Sequence, residues 1–148
     1  MHFNQENEIV RLCAKGMEME GKGQPAEAAQ LFSEAWEKAK DDVEKFTAAH
    51  YVARQQPDVA GKLTWDMLAL QHALQIKDDT VKAVLPSLYL NVGKCYEDLC
   101  EFEKAALYYQ AGLSCQSFLP DDGYGQMIGR GLQAGMQRVA EKNNGQLC

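Results

Sequence analysis

The stretch that most constrains this chain runs over 86–112, PSLYLNVGKCYEDLCEFEKAALYYQAG. Tyr89, Val92, Gly93 and Tyr96 recur at i, i+3, i+4 and i+7, which puts them on one face of a helix. Ala105, Tyr109 and Gly112 mark the face of a second helix. The short Asp98–Glu101 connection, with Cys100 near the place where a turn glycine is expected, makes the two helices antiparallel neighbours. Gly93 and Ala105 are small where such helices cross closely, and the large rings fill the space around them. The spacing returns upstream. Leu12, Gly16 and Met19 correspond to Tyr89, Gly93 and Tyr96, while Ala28, Phe32 and Ala35 correspond to the second helix; Lys15 departs from Val92.

The rest of the chain reads as further helices. Asn4 or Asn7 caps a first helix from about Glu6 to Gly21, Gly21-Lys22-Gly23 turns the chain, and Pro25 opens the next helix. Asp41-Asp42 starts a helix carrying Phe46, Ala49, His50 and Ala53. His50 takes the place of a close-packing glycine there, so these helices are expected to splay or shift register. Pro57 starts a helix with an apolar stripe at Leu63, Met67, Leu70 and Leu74, and Trp65 on its flank, running on to Lys77. Asp78-Asp79-Thr80 caps another helix, read as continuous with a kink near Pro86. Pro120 stops the hairpin of the opening stretch. Asp121-Asp122 then opens a last helix with Tyr124, Ile128, Leu132, Met136 and Val139 on one stripe. This helix is expected to cover an apolar face left by Phe102 and Leu107. Residues 143–148 are expected to fray.

This makes an all-α chain of about seven helices in a single domain over 1–148. Its hairpins span about 9–42, 43–85 and 86–119, with a capping helix over about 121–142. At 148 residues it buries ~70% of its extended-chain surface. The formal net charge of −6, without a basic stripe, argues against nucleic acid as partner. No apolar run reaches the ~18–20 residues of a membrane span, so no membrane partner is expected and the location read is cytoplasmic. Five cysteines (Cys13, Cys95, Cys100, Cys115, Cys148) make an odd count with no C-x-x-C pair, which predicts thiols rather than disulfides or zinc.

No catalytic, metal or cofactor site is expected. His2, His50 and His72 have no paired nucleophile in sequence, and no phosphate-loop, dinucleotide or H-E-x-x-H pattern occurs. The paired aspartates read as helix starts.

The hairpin pattern, W-x-x-L-G-x-x-Y followed by A-x-x-x-F-x-x-A with conservative replacements, resembles the tetratricopeptide repeat (TPR), a helix–turn–helix unit of about 34 residues. The match is closest over 86–119, good over 9–42 and poor over 43–85. The resemblance implies a right-handed superhelix of antiparallel hairpins whose first helices line a concave groove for a peptide or protein segment. Carried over, the groove positions are Val10, Cys13, Met17 and Glu20; Thr47, Tyr51, Arg54 and Gln55; and Leu90, Lys94, Glu97 and Asp98. Tyr51 and Arg54 are the expected anchors. The clamp by which one TPR subfamily holds a terminal carboxylate is missing: its positions hold Cys13, Met17, Ala48, Leu90 and Lys94, of which only Lys94 serves. The implied function is a non-enzymatic protein-binding scaffold or adaptor. The alternatives are a self-associating unit such as a homodimer, a small chaperone-like adaptor, and an enzyme with an unrecognised site.

Overall fold

Side chains that accept hydrogen bonds from otherwise unsatisfied backbone N–H groups decide where these helices begin. In the computed structural model, which describes residues 4–142, Asn7 Oδ1 accepts from the N–H of Ile9 at 2.8 Å and of Val10 at 3.2 Å, opening α1, Glu8–Gly21. Pro25 is the first residue of α2, Pro25–Lys38, where a missing N–H costs nothing. Asp41 accepts from Glu44 N–H at 2.8 Å to open α3, Asp42–Arg54. Asp58 does the same from Gly61 for α4, Val59–Leu74. These helices form one compact unit, Met1–Lys77.

A second unit, Asp78–Cys148, holds α5, Leu85–Asp98, α6, Phe102–Ser114, and α7, Gly123–Ala140. Asp122 opens α7 by accepting from Gly125 N–H at 2.8 Å. Short 3-10 turns, Asp79–Ala83 and Gln116–Phe118, precede α5 and follow α6. The protein is all-α, with seven α-helices and no strand among the described residues. The glycine-bearing last segment is one continuous helix.

Several sequence expectations need correction. α4 stops at Leu74 rather than Lys77. No kinked helix runs through Pro86 either. Asp78 Oδ1 accepts from both the backbone N–H and the hydroxyl of Thr80, which diverts the chain into a 3-10 turn, and Pro86 then sits in the first turn of α5. The splaying expected from His50 is absent. α3 and α4 stay in extensive contact, because Ala49 and Ala53 on one and Ala69 and Ala73 on the other are small and buried. Leu107 is 69% exposed, so α7 does not cover it, and Tyr124 lies outside the buried stripe. Cys100 does take the glycine-like place, with φ 59°, as Gly23 does with φ 73° in the first hairpin.

In the first unit Ile9, Cys13, Ala28, Phe32, Ala35, Ala48 and Val52 form the core shared by α1, α2 and α3. α4 is fastened by Trp65, edge-on to Trp36 at 5.0 Å, and by His72 Nδ1, 2.8 Å from Asp42 Oδ1. In the second unit Phe102, Ala105 and Tyr109 of α6 pack with Ile128, Leu132 and Val139 of α7. The Tyr109 ring is wholly buried against two glycines. A Cβ built on Gly93 of α5 lies 2.6 Å from its Cδ1, and one on Gly135 of α7 lies 2.5 Å from its Cζ.

Any side chain at those two positions therefore strikes the ring. Gly93→Leu should lower stability by about 1–3 kcal/mol through overpacking, read as a lower denaturation midpoint. An unchanged midpoint would contradict the packing described. Removal of the chain after Pro120 should expose Phe102 and Tyr109 and raise binding of a hydrophobic dye. A truncated chain that binds no more dye than the intact one would argue against α7 as their cover.

Candidate functional site

α1 and α3 run in the same direction, and two polar clasps tie their ends together. At the N-terminal end Asn7 Nδ2 donates to Glu44 Oε2 at 2.8 Å. At the C-terminal end Gln55 Nε2 donates to Glu20 Oε2 at 2.5 Å, and Arg54 Nη2 stands 3.1 Å from Glu20 Oε1. That last contact is an ion pair without aligned hydrogen-bond geometry, and Glu20 Oε1, a buried atom, has no hydrogen-bond donor among the described residues. Between the clasps lies a cavity of about 250 Å³ lined by Val10, Cys13, Ala14, Met17, Thr47 and Tyr51. A smaller one, about 40 Å³, lies at the Asn7–Glu44 end.

The walls follow from helix spacing. Val10, Cys13, Ala14 and Met17 lie on successive turns of α1, as Thr47, Tyr51 and Arg54 do on α3. Tyr51 stacks on the Phe32 ring at 5.2 Å and carries the Arg54 guanidinium 5.7 Å from its centroid. Met17 is 40% exposed. Burial pushes the Cys13 thiol up to about 12, so at neutral pH it is an apolar wall and not a nucleophile. The hydrogen bond from Asn7 holds the Glu44 carboxyl below its usual range, so that carboxylate is charged.

Leu90, Lys94, Glu97 and Asp98 belong to the second unit. Leu90 packs onto its core cluster. Lys94 and Asp98 pair with each other on an exposed turn at 2.5 Å. Glu97 is 6% exposed and fully occupied. The Tyr109 hydroxyl donates to its Oε1 at 2.6 Å, and Arg138 donates Nε to Oε2 at 2.8 Å and Nη2 to Oε1 at 3.0 Å. Burial raises the Glu97 carboxyl, but the bonds from Arg138 and Tyr109 outweigh it and hold the group low. Burial and the Glu97 bond raise the Tyr109 phenol.

Of the twelve residues expected on a groove, the structure thus gathers Val10, Cys13, Met17, Thr47 and Tyr51 around one cavity. Glu20, Arg54 and Gln55 stand at its end. Ala14 was not expected there. It lies four positions after Val10 and three before Met17, on the same face of α1, so the periodicity carries the signal. Arg138, far along the sequence from Glu97, had no local signal at all.

The remaining candidates for chemistry are dispersed. His50 is half-buried, its Nδ1 has no hydrogen-bond partner among the described residues, and burial lowers its pKa. His2 lies outside the described residues. Among those residues no three His, Cys, Asp or Glu side chains converge as a metal site, and no helix is long and apolar enough to cross a membrane. Cys13, Cys95 and Cys115 are not in disulfides, whereas Cys100 is disulfide-bonded, which corrects the expectation of thiols throughout. Cys148 and the rest of 143–148 lie outside the described residues. Comparison with protein families, with curated proteins and with solved structures finds no match for the chain.

Two outcomes follow. The folded-state pKa of Glu97 is depressed, so its contribution to stability is complete above the unfolded carboxylate value of about 4.3. It is lost as pH falls through the lower folded value. Arg138→Gln removes two charge-assisted bonds, should cost about 1–3 kcal/mol at neutral pH, and should shift acid unfolding to higher pH. An acid transition identical to that of the unaltered protein would contradict this. Thiol counting on denatured, unreduced protein should find fewer than five thiols, and a count of five would refute the Cys100 disulfide.

Proposed function

We propose that this chain is a protein-interaction module of TPR type, a non-enzymatic adaptor whose N-terminal unit holds a segment of another protein in the groove between α1 and α3. One observation carries the reading: an apolar cavity of about 250 Å³ lies between two clasps that keep the helices a fixed distance apart. A preorganised apolar hollow with polar ends takes a side chain without first reorganising. The TPR reading is supported by the two hairpins, in which Gly16 meets the Phe32 ring as Gly93 meets the Tyr109 ring. A right-handed superhelix and the three-repeat spans 9–42, 43–85 and 86–119 are part of the same proposal.

The residues offered for contact are Val10, Met17, Thr47, Tyr51 and Arg54, with Cys13 as the floor. Tyr51 and Arg54, the anchors expected from sequence, also serve the fold, Tyr51 on Phe32 and Arg54 on Glu20. Their replacement therefore confuses binding with stability. Met17 is the cleaner probe, since it borders the cavity and is 40% exposed.

The test is capture of the partner from the native cell and titration of the purified partner. Met17→Lys should weaken binding at least about tenfold by placing a charge on an apolar contact, while the melting curve stays in place. Amidation of the partner's C-terminus should change little, because the groove carries no clamp for a terminal carboxylate. If Met17→Lys bound normally and amidation abolished binding, this account of the groove would be wrong. A concentration series in sedimentation without any partner addresses self-association.

A further inference from the structure

We propose that the cavity between α1 and α3 receives a leucine-sized aliphatic side chain from the partner segment, and that the residue beside it is cationic. This rests on the reading above and names the occupant of that same site.

The second unit supplies the argument, because it is built on the same frame. α1 and α2 correspond to α5 and α6, with Cys13 matching Leu90, Gly16 matching Gly93, Glu20 matching Glu97 and Phe32 matching Tyr109. α3 corresponds to α7, since Arg54 reaches Glu20 as Arg138 reaches Glu97. Tyr51 meets Phe32 as Gly135 meets Tyr109. That registration matches Thr47 with Gly131. In the second unit a Cβ built on Gly131 lies 3.1 Å from Leu90 Cδ2, so the isobutyl group of Leu90 lies against α7. In the first unit the corresponding pair, Cys13 and Thr47, borders the 250 Å³ cavity instead. Cys13 stops well short of a leucine, and the Tyr51 ring stands where the second unit has glycine. The frame fills this space from within in one unit and leaves it open in the other.

The rim charges decide the flank. Glu44 at one end is bonded by neutral donors, the Asn7 amide and the Lys40 backbone N–H. Glu20 at the other end is balanced by Arg54. Two carboxylates face one guanidinium in direct contact, with the Lys40 charge acting on Glu44 only weakly through space, on a chain of net charge −6. A cation beside the aliphatic group complements that rim, and a carboxylate opposes it.

Three small probes test this: N-acetyl-leucyl-lysine amide, N-acetyl-seryl-lysine amide and N-acetyl-leucyl-glutamate amide. Each is titrated at low salt against protein carrying ¹³C-methyl methionine, with the Met17 methyl signal as readout. The leucyl-lysine probe should shift that signal saturably, and the seryl probe should bind at least about tenfold more weakly. The leucyl-glutamate probe should bind about threefold more weakly, a difference that shrinks in high salt. Cys13→Leu, which places the Leu90 side chain in the first unit, should abolish the shift. Ala14→Leu, at an exposed wall position, fills the hollow without touching the core and should do the same. Equal binding of leucyl and seryl probes, or shifts that persist in both filled variants, would overturn the aliphatic occupant. Tighter binding of the glutamate probe would overturn the cationic flank. If no probe binds while Met17→Lys still weakens the captured partner, this inference fails and the groove reading stands. If the probes bind as expected and the partner ignores Met17→Lys, the reading falls and the pocket chemistry stands.

Discussion

The second unit depends on one ring and one carboxylate. Tyr109 lies between Gly93 and Gly135, so the backbones of α5 and α7 both close directly onto this ring of α6. The ring ends at a hydroxyl that would be costly to bury alone, about 1–3 kcal/mol for an unsatisfied group. Glu97 accepts its hydrogen bond, and Arg138, 44% exposed by side chain, brings the compensating charge from the solvent edge of α7. One-sided exposure matters, because a fully buried pair returns little of its desolvation cost. Here the guanidinium keeps its water and the carboxylate gains three donors. The three helices are thus joined by a single chain of contacts, ring to glycines and hydroxyl to carboxylate to guanidinium.

The first unit runs the same frame with two parts exchanged. Phe32 replaces the tyrosine, so the matching carboxylate, Glu20, loses its hydroxyl donor and is held by Gln55 and a poorly aligned Arg54. Tyr51 replaces the glycine, so α3 meets Phe32 through a stacked ring rather than through its backbone. The hollow lies beside that ring. Its presence follows from which residue stands opposite the central ring and owes nothing to loop flexibility.

Much of this was legible in the sequence, and the reasons differ by element. Helix starts could be read at Asn7, Asp41 and Asp122, which act on N–H groups two or three residues away, whereas the cap at Asp58 was passed over for its neighbour Pro57. Gly16 and Gly93 could be read because helical spacing fixes which residues share a face. The five cavity-lining residues on α1 and α3 that had been expected came from the resemblance to the tetratricopeptide repeat, whose inward positions were carried onto these helices. Non-local pairing was not legible: nothing near Glu97 announces Arg138, so Glu97 was expected on a groove and is found in a buried network. The run from Asp78 to Pro86 misled because apolar periodicity continues through it, whereas the Asp78 side chain diverts the backbone. Leu107 looked like core by residue type alone, and its neighbours on α6 show that it stands on the far side of Ala105 and Tyr109.

A packed protein fills its interior wherever its own side chains reach, since unfilled space forfeits dispersion contacts that no other group replaces. The second unit obeys this at Leu90. On the proposed reading, the first unit departs from it at Cys13 because the missing contacts are made by another molecule. The departure is inexpensive for the free protein. The hollow opens to water and is not a sealed void, its floor is a thiol kept neutral by burial, and its mouth is shared by Met17, the most adaptable apolar side chain available. The clasps at Asn7–Glu44 and Glu20–Gln55 keep α1 and α3 from closing over it. On that reading stability and recognition overlap only at Cys13, Tyr51 and Arg54: Phe32, Ala28 and Ala35 hold the helices, while Val10, Ala14 and Met17 are left for a partner to cover.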